Sequence, residues 1–320
     1  MIDLKFRRSE DIPIVFLMGG TATGKTDIAA LLSQQIPFEL ISVDSSLVYA
    51  GMNIGTAKPD ANFLKEFPHH LIDIRKPDQT YSVADFCEDS IHLITKITSN
   101  GKVPLFVGGT SFYFSALENG LPDLPEKDEA IRHQILTAAE TKGWSFLHEQ
   151  LANIDPQRAA RINVTDTQRI QRALEINYIT GQPVTEKKSE CLFPNPLIKI
   201  ALVHFDRKVL HQRIEKRFHI MVEQGLIEEI ENLIAVYARD IPAFRMIGYR
   251  QFIDGLEQGD SIDTIIEKSI IATRQLAKRQ LTWLRNQSGL LWYGVNNEDL
   301  AMTASSIADY CHSRFNLHFD

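Results

Sequence analysis

The 320-residue sequence predicts an α/β fold: a core with a mainly parallel sheet, plus an inserted helical domain. The first observation behind this prediction is that short apolar runs alternate with helical stretches along most of the chain, as in βαβ units. The second is that this alternation stops between residues 121 and 195. Hydrophobic residues make up 44% of the chain and charged residues 23%, which is typical of globular proteins and excludes disordered or collagen-like chains.

Six apolar runs are predicted to be the strands of this sheet. The first run ends at Gly19-Gly20 and the fourth ends at Gly108-Gly109-Thr110, so glycine turns follow both. Because ligands bind outside the carboxyl ends of parallel strands, we expect these turns to border a binding site. The predicted strands cover residues 12–18, 40–43, 70–74, 103–107, 198–205 and 290–293.

The inserted segment begins with Pro122 and Pro125 and continues with helical patterning and no convincing strand. We therefore divide the chain into residues 1–120 as the first part of the core, 121–195 as the helical insertion, and 196–320 as the second part of the core. Asp206 is predicted to be the N-cap of a long helix. The final helix is predicted over residues 261–286.

Several features concern where the protein acts. No apolar run approaches the ~20 residues of a membrane span, and the N-terminus lacks the apolar core of a signal peptide. The three cysteines form no CxxC pair, which argues against a zinc ribbon or a disulfide framework. We expect a cytoplasmic protein with no membrane partner, and nothing indicates an obligate oligomer, so we expect a monomer. The net charge of −7 argues against indiscriminate nucleic-acid binding.

The strongest local signal is a phosphate-binding motif, GGTATGKT, which matches G-x-x-x-x-G-K-[ST] between a predicted strand and a predicted helix. Its backbone N–H groups can surround an anion, Lys25 can reach terminal phosphate oxygens, and Thr26 can bind Mg²⁺. The motif is typical of nucleotide-binding and ATP-binding proteins, but by itself it predicts only a diphosphate or polyphosphate ligand. We call these residues the phosphate loop: Gly19, Gly20, Thr21, Ala22, Thr23, Gly24, Lys25 and Thr26.

Asp44 lies at the end of the second predicted strand and should face the same crevice. It could hold Mg²⁺ through water or deprotonate a nucleophile, or it could simply cap the next turn. Thr110 and the two glycines before it are likewise either a turn or donors to the phosphates.

Basic residues form two clusters, and the one from Lys268 to Arg285 contains no acidic residue. Such clusters either bind an anionic partner or are solvated charged faces. A third pair, Arg213 and Arg217, is spaced i,i+4, and the alternative to anion binding there is an ion pair with Glu215 or Glu229. His69, His70 and Cys87 are interpreted as structural. The clusters are Arg158, Arg161, Arg169 and Arg172, and Lys268, Arg274, Lys278, Arg279 and Arg285.

The run VDSSLVYAGMNIGTAKP at residues 43–59 resembles a signature of tRNA dimethylallyltransferases, which prenylate an adenosine beside the anticodon. Further similar segments follow in the family's order and, together with the first, cover roughly residues 14–285. They are HHLIDI at 69–74, FVGGT at 106–110, DTQRIQRALE at 166–175, RIEKRF at 213–218, RMIGYRQ at 245–251 and ATRQLAKRQLTWLR at 272–285.

This resemblance implies that the phosphate loop binds dimethylallyl diphosphate rather than ATP. From the phosphate-loop motif we expect Mg²⁺ as cofactor, at Thr26. It implies that Asp44 contacts N6 of the target adenine as general base. It also implies that Thr110 and Arg217 stabilise the leaving diphosphate, with Arg213 as the fallback. The anticodon stem-loop of tRNA would be contacted by Asp44, Ser45, Ser46, Leu47, Gln168, Arg169, Ile170, Gln171, Arg172, Arg245, Met246, Ile247, Gly248, Tyr249 and Arg250, and we add Arg274 and Lys278 from the basic cluster.

The sequence departs from the family pattern at a few positions. Gly20 replaces the usual proline, Ala50 a basic residue and Asn53 an aspartate, and Asn163-Val164-Thr165 replaces His-Pro-Asn. Three other functions share parts of the pattern. They are prenylation of free adenine nucleotides, a small-molecule or nucleoside kinase, and a nucleotide-dependent RNA-binding protein.

Overall fold

The computed structural model describes residues 8–182, 190–295 and 299–316. It divides into two compact units, one formed by Met1–Glu118 with Cys191–Asp320 and the other by Asn119–Glu190. The corresponding boundaries predicted from the sequence are residues 121 and 195. Residues 183–189 of that predicted insertion lie outside the described part.

The first unit is built on a six-stranded sheet in which every neighbouring pair of strands is parallel. The strands run in the order β3-β2-β4-β1-β5-β6, so β1 is central. All residues of β1 and β4 are buried, as expected for strands covered on both faces. The strands are β1 (Ile14–Gly19), β2 (Phe38–Val43), β3 (His69–His70), β4 (Val103–Gly108), β5 (Leu197–Val203) and β6 (Leu290–Gly294).

One predicted strand is largely wrong. Residues 70–74 were expected to be extended, but β3 contains only His69 and His70. Leu71 and Asp73 follow with left-handed φ angles of 65° and 57°, which extended backbone does not allow. The apolar residues of this segment therefore belong to a turn after a two-residue edge strand.

Helices cover the sheet, and several further helices follow β5 toward the C-terminus. Asp206 is confirmed as the N-cap of α9, since its side chain accepts a hydrogen bond from the N–H of Lys208. The helix predicted over 261–286 is confirmed as α12, but it is not the final one. The helices of this unit are α1 (Lys25–Ser33), α2 (Ala61–Glu66), α3 (Val83–Ser99), α4 (Ser111–Asn119), α9 (Arg207–Glu223), α10 (Leu226–Val236), α11 (Tyr249–Gln258), α12 (Ile262–Arg285) and α13 (Leu300–Asn316).

The additional helix α13 belongs to the core of the unit. Its buried Ile307, Cys311 and Phe315 share one apolar cluster with Ile28 and Leu32 of α1. The helix carrying the end of the phosphate loop is therefore packed from behind by the last described helix of the chain.

The described residues of the second unit, 119–182 and 190, form helices joined by loops and include no strand. Its helices are α5 (Glu129–Lys142), α6 (Trp144–Ile154), α7 (Pro156–Ala159) and α8 (Thr167–Thr180). Ile135, Leu147, Leu151, Ile170 and Leu174 are at most 1% exposed and form its core.

A search of the described residues found no helix with both the length and the apolar character that a bilayer crossing demands.

Candidate active site

The carboxyl ends of β1, β2 and β4 open into one cleft of about 1710 Å³ within the first unit. Such a cleft is where an open parallel sheet binds its ligands. The lining includes residues 21–26 of the phosphate loop, Asp44, Thr110 and Arg217. The structure thus brings together the residues that the sequence analysis assigned to the chemistry.

The phosphate loop has a tightly constrained backbone. Gly24 has a left-handed φ of 80°, and Ala22 has one of 61° although it carries a side chain. The hydroxyl of Thr23 donates to the carbonyl of Gly20 at 2.8 Å, which closes the loop on itself. A Cβ on Gly19 would lie 2.9 Å from the carbonyl oxygen of Leu202, so a side chain there would clash with β5.

Among the described residues, Lys25 and Arg217 form no salt bridge with an acid. Burial lowers the pKa of Lys25 to about 8, an effect that nearby Asp44 opposes and Arg217 reinforces. Burial likewise lowers the pKa of the Arg217 guanidinium, while Asp44 raises it and Arg213 lowers it. In the ligand-free protein Nζ of Lys25 donates to the carbonyl of Gly20 at 2.6 Å. A bound polyanion would supply the missing negative charge, and the site is therefore suited to a diphosphate.

Asp44 both caps a turn and presents a carboxylate to the cleft. Its Oδ1 accepts the N–H of Ser46 at 2.9 Å and the Ser46 hydroxyl at 2.5 Å. Among the described residues, no hydrogen bond to its Oδ2 is found. The turn-cap role and the general-base role, which the sequence left as alternatives, are therefore compatible within one side chain.

Thr110 is positioned beside Asp44 by backbone contacts. Its N–H donates to the carbonyl of Val43 at 3.1 Å, and its Oγ1 accepts the N–H of Ser45 at 3.1 Å. Because Oγ1 serves as an acceptor there, the hydroxyl proton can be donated to a ligand oxygen.

The two arginines of α9 have different surroundings. Both line the cleft, but Nε of Arg213 donates to the carbonyl of Ala22 at 2.8 Å, so this residue also supports the phosphate loop. The acids considered as alternative ion-pair partners are engaged elsewhere. Glu215 accepts from Arg274 at 3.1 Å. Glu229 accepts three backbone N–H groups, from Asn53, Ile54 and Gly55, and the hydroxyl of Tyr249 at 2.6 Å.

The residues with a predicted tRNA contact in the first unit fall into two groups. Ser45, Ser46 and Leu47 line the cleft, as do Arg245, Met246 and Ile247. Gly248 and Tyr249 are buried, and Tyr249 is 0% exposed with its hydroxyl on Glu229. Tyr249 nonetheless lines the cleft, so contact of this residue with tRNA stays a prediction. Arg250 is exposed.

In the second unit the predicted contact segment is also divided. Gln168 and Arg169 are exposed and Gln171 is partly exposed. Ile170 is 0% exposed and belongs to the core of the unit, and contact of the 168–172 segment with tRNA stays a prediction. Arg172 binds the carboxylate of Glu175 at 2.7 Å and the carbonyl of Pro125 at 2.6 Å. Its charge is thus neutralised inside the unit.

The basic cluster on α12 is partly neutralised by acids from other segments. Arg274 pairs with Glu215 of α9, and Lys268 pairs with Asp260 at 2.6 Å. Lys278 and Arg279 are exposed, and Arg279 lines the cleft. The absence of acids after Glu267 in this helix is therefore weak evidence for an anionic partner, because acids from other segments pair with two of its cations.

Two residues of the site were missed by sequence reasoning. Glu229 fixes the loop at residues 53–55 through its three backbone hydrogen bonds. Gln280 of α12 accepts the N–H of Thr21 and donates to the carbonyl of Gly109, both at 2.9 Å. Only the match of Gln280 to the family segment at 272–285 could have indicated it. His69 and His70 contact the carbonyl of Phe67 and the carboxylate of Glu39, in keeping with structural roles.

The donors available for a metal ion are few. No group of three or more His, Cys, Asp or Glu side chains that could hold a metal ion occurs among the described residues. Thr26 is partly buried and lines the cleft beside Asp44, so its hydroxyl is available to a hard cation. This donor set fits Mg²⁺ held mainly by ligand phosphates and water, the arrangement that Mg²⁺ prefers.

Comparisons with known proteins agree on one family. A relative from Thiobacillus denitrificans named tRNA dimethylallyltransferase is 48% identical over 299 residues, covering 92% of this chain and 96% of its own. The chain is also similar to a solved structure, that of the full-length tRNA isopentenylpyrophosphate transferase from Bacillus halodurans. The two are 36% identical with a TM-score of 0.70, and the alignment covers 96% of this chain and 97% of the other. A eukaryotic dimethylallyltransferase, solved while acting on tRNA, has the same fold, with a TM-score of 0.77 at 24% identity over 93% of this chain and 77% of its own.

The family model described as IPP transferase matches residues 47–287, and its match includes α9, α12 and the loop after Asp44. Together with the near-complete coverage of the relatives, this match shows that the chain belongs to the family of tRNA dimethylallyltransferases.

Proposed function

We propose that this protein transfers a dimethylallyl group from dimethylallyl diphosphate to N6 of an adenosine next to the anticodon of tRNA and releases diphosphate. The observation that carries the proposal is a single cleft lined by the phosphate loop, Arg217 and the carboxylate of Asp44. Family membership supports the same reaction class, prenyl transfer to tRNA.

Donor binding follows from the charge of the cleft. The N–H groups of the phosphate loop and the first turn of α1 favour an anion, and Lys25 and Arg217 supply positive charge. To reach a phosphate, Lys25 must break its hydrogen bond to the carbonyl of Gly20. Its flexible four-carbon side chain allows this movement. The depressed pKa of Lys25 in the free protein would return toward its ordinary value once the diphosphate is bound.

The transfer step exchanges one bond for another. The carbon–oxygen bond between the dimethylallyl group and the diphosphate breaks, and its electron pair leaves with the diphosphate. The lone pair on N6 forms the new carbon–nitrogen bond, and the proton lost from N6 passes to Oδ2 of Asp44. Thr110 and Arg217 would stabilise the charge that grows on the leaving oxygen, which is the moment at which fixed donors act most strongly.

We propose Mg²⁺ as the cofactor, held by the hydroxyl of Thr26 together with the diphosphate. When bound, the ion would neutralise charge on the departing diphosphate.

The adenosine must leave the stacked anticodon loop to reach Asp44, which costs a few kcal/mol in nucleic acids generally. Contacts with tRNA phosphates are expected to offset this cost. The exposed cations Lys278 and Arg279 are the best candidates, since Arg169, Arg172 and Arg274 already have acidic partners. We further propose that the protein acts on the anticodon stem-loop as a cytoplasmic monomer.

The competing functions have less support. The relatives are named for transfer of a dimethylallyl group to tRNA, so neither a kinase nor a nucleotide-dependent RNA-binding protein is favoured. An enzyme that prenylates free adenine nucleotides would have no use for the exposed cations on α8 and α12.

The direct test incubates the purified protein with unmodified tRNA, Mg²⁺ and dimethylallyl diphosphate, then digests the tRNA and weighs its nucleosides. We expect one adenosine to gain the mass of one dimethylallyl group only when the donor is present. The Lys25→Gln variant serves as the control for dependence on the phosphate loop. No mass gain on any tRNA, together with phosphoryl transfer from ATP, would overturn the proposal in favour of a kinase.

A further inference from the structure

Gln280 connects two loops that the sheet leaves unconnected. The parallel ladder between β1 and β4 ends at Met18 and Gly108, and the chain on each side then turns into the cleft. Beyond this point the side-chain carboxamide of Gln280 links the two segments through hydrogen bonds. Its Oε1 accepts the N–H of Thr21 and its Nε2 donates to the carbonyl of Gly109, each at 2.9 Å.

Both loops have a glycine where they approach this carboxamide. A Cβ on Gly109 would lie 2.6 Å from Nε2 of Gln280, closer than side-chain carbons are found. A Cβ on Gly20 would lie 3.6 Å from Oε1, an ordinary contact distance. The carboxamide therefore fits between two segments of main chain, and it has a donor for one and an acceptor for the other.

The bridge joins the two halves of the reaction centre. On one side is the phosphate loop, which carries Lys25. On the other is Gly109, whose neighbour Thr110 contacts the N–H of Ser45, next to Asp44. The distance between the donor diphosphate and the acceptor carboxylate therefore depends on how these two loops are held.

We propose that Gln280 is a positioning residue for the prenyl transfer, which holds the phosphate loop in register with Thr110 and Asp44. This inference rests on the proposed function. It assigns to Gln280 an effect on the chemical step rather than on substrate affinity, because both of its hydrogen bonds are made to protein main chain, at Thr21 and Gly109. Since α12 also carries Lys278, one helix would take part in holding both the tRNA and the reaction centre.

The test compares Gln280→Met with Gln275→Met. Gln275 lies on the same helix, is exposed and has no role in the cleft, so it is a matched control. We expect Gln280→Met to lower kcat by about 10- to 100-fold, the scale on which a displacement of about 1 Å acts. The KM values for dimethylallyl diphosphate and tRNA should stay within about threefold, because neither hydrogen bond that is lost touches a substrate. The control should leave all three parameters unchanged.

A second variant protects the test against simple misfolding. Gln280→Glu has the same shape and can still accept from Thr21, but it places a carboxylate oxygen against the carbonyl of Gly109. We expect kcat to fall in this variant while the melting temperature stays near that of Gln275→Glu. A kcat within twofold of the control in both variants would overturn the proposal. So would a rise in KM at unchanged kcat, which would make Gln280 a binding residue.

A failure of the proposed function can be distinguished from a failure of the proposal for Gln280. If the wild type and the Gln275 variants make no prenylated tRNA, the function is wrong, whatever Gln280 does. Hydrogen exchange at Thr21 then decides whether the bridge exists. Faster exchange in Gln280→Met than in Gln275→Met supports the bridge, and equal exchange overturns it.

Discussion

The phosphate loop and helix α8 were both predicted to contact phosphate groups, but their cations have opposite surroundings. In the phosphate loop, burial lowers the pKa of Lys25 to about 8. In α8, the charge of Arg172 is matched by Glu175, whose carboxylate is 0% exposed. Burial alone would raise the pKa of Glu175, but hydrogen bonds from Arg132 and Arg172 outweigh it and hold that pKa below its ordinary value.

This difference separates a ligand site from a structural network. A buried cation without enough negative charge nearby destabilises the free protein and is relieved when an anion binds. A cation whose charge is matched by a buried, fully engaged carboxylate has little left to offer a ligand, and removing it leaves that carboxylate short of a partner.

Asp44→Ala should lower kcat for prenyl transfer by at least about 100-fold, the usual scale for a general base. At pH 7 the affinity for dimethylallyl diphosphate should change by less than about threefold, because Asp44 is assigned to the acceptor. Single-turnover kinetics and donor binding without tRNA measure the two quantities. Turnover close to that of the wild type would remove Asp44 from the mechanism.

Arg217→Met should lower kcat/KM by about 10- to 100-fold, because it removes a donor to the leaving diphosphate. The same change should raise the stability of the ligand-free protein by roughly 0.5–2 kcal/mol, since it removes a buried charge whose pKa is already depressed. Urea unfolding without ligand measures this second effect. A loss of stability instead would mean that Arg217 belongs to a structural network like that of Arg172.

The pH dependence of donor binding tests Lys25. Its pKa of about 8 in the free protein should rise in the complex, so the bound state takes up a proton. Affinity should be constant below pH 8 and fall about tenfold per pH unit above it. Lys25→Arg is the control, because a guanidinium stays charged and should remove this dependence. Identical profiles for the two proteins would contradict the assignment.

Arg172→Gln should destabilise the protein by about 1–3 kcal/mol, because Glu175 loses one partner while buried. Since the pKa of Glu175 is lowered in the folded state, its contribution is present above its unfolded pKa and is lost as pH falls through the folded value. The difference between variant and wild type should therefore shrink in acid. Unfolding in urea at neutral and acidic pH measures it, with exposed Arg169→Gln as the control.

Lys278→Gln should reduce the slope of log K for tRNA binding against log salt by about 0.7–0.9. Arg274→Gln should reduce it less, because Glu215 already faces that guanidinium. Equal slopes for the wild type and Lys278→Gln would show that Lys278 faces solvent in the complex.

The sequence predicted those features that are local in the chain. β1 and β4 are continuous apolar runs, and the glycine turn after each is fixed by backbone conformation and close packing, which a short motif encodes. The N-cap at Asp206 is local in the same way. These features needed no knowledge of distant residues.

The features that were missed depend on partners far along the chain. Gln280 lies 259 residues from Thr21, and Glu229 lies 176 residues from Asn53. The acid that neutralises Arg274 is 59 residues away. Spacing within one helix cannot reveal such contacts. The strand expected at 70–74 failed for a different reason, because two left-handed residues interrupt an apolar run that is otherwise typical of a strand.

The central claim is that the phosphate loop serves a prenyl diphosphate whose acceptor is a tRNA adenosine. The most direct measurement is the amount of diphosphate released per prenylated adenosine, using labelled dimethylallyl diphosphate and an unmodified anticodon stem-loop. We expect one diphosphate for each modified adenosine, and no release above background without RNA. Diphosphate release that continues without RNA, or prenylation of free adenine nucleotides at the same rate, would contradict it.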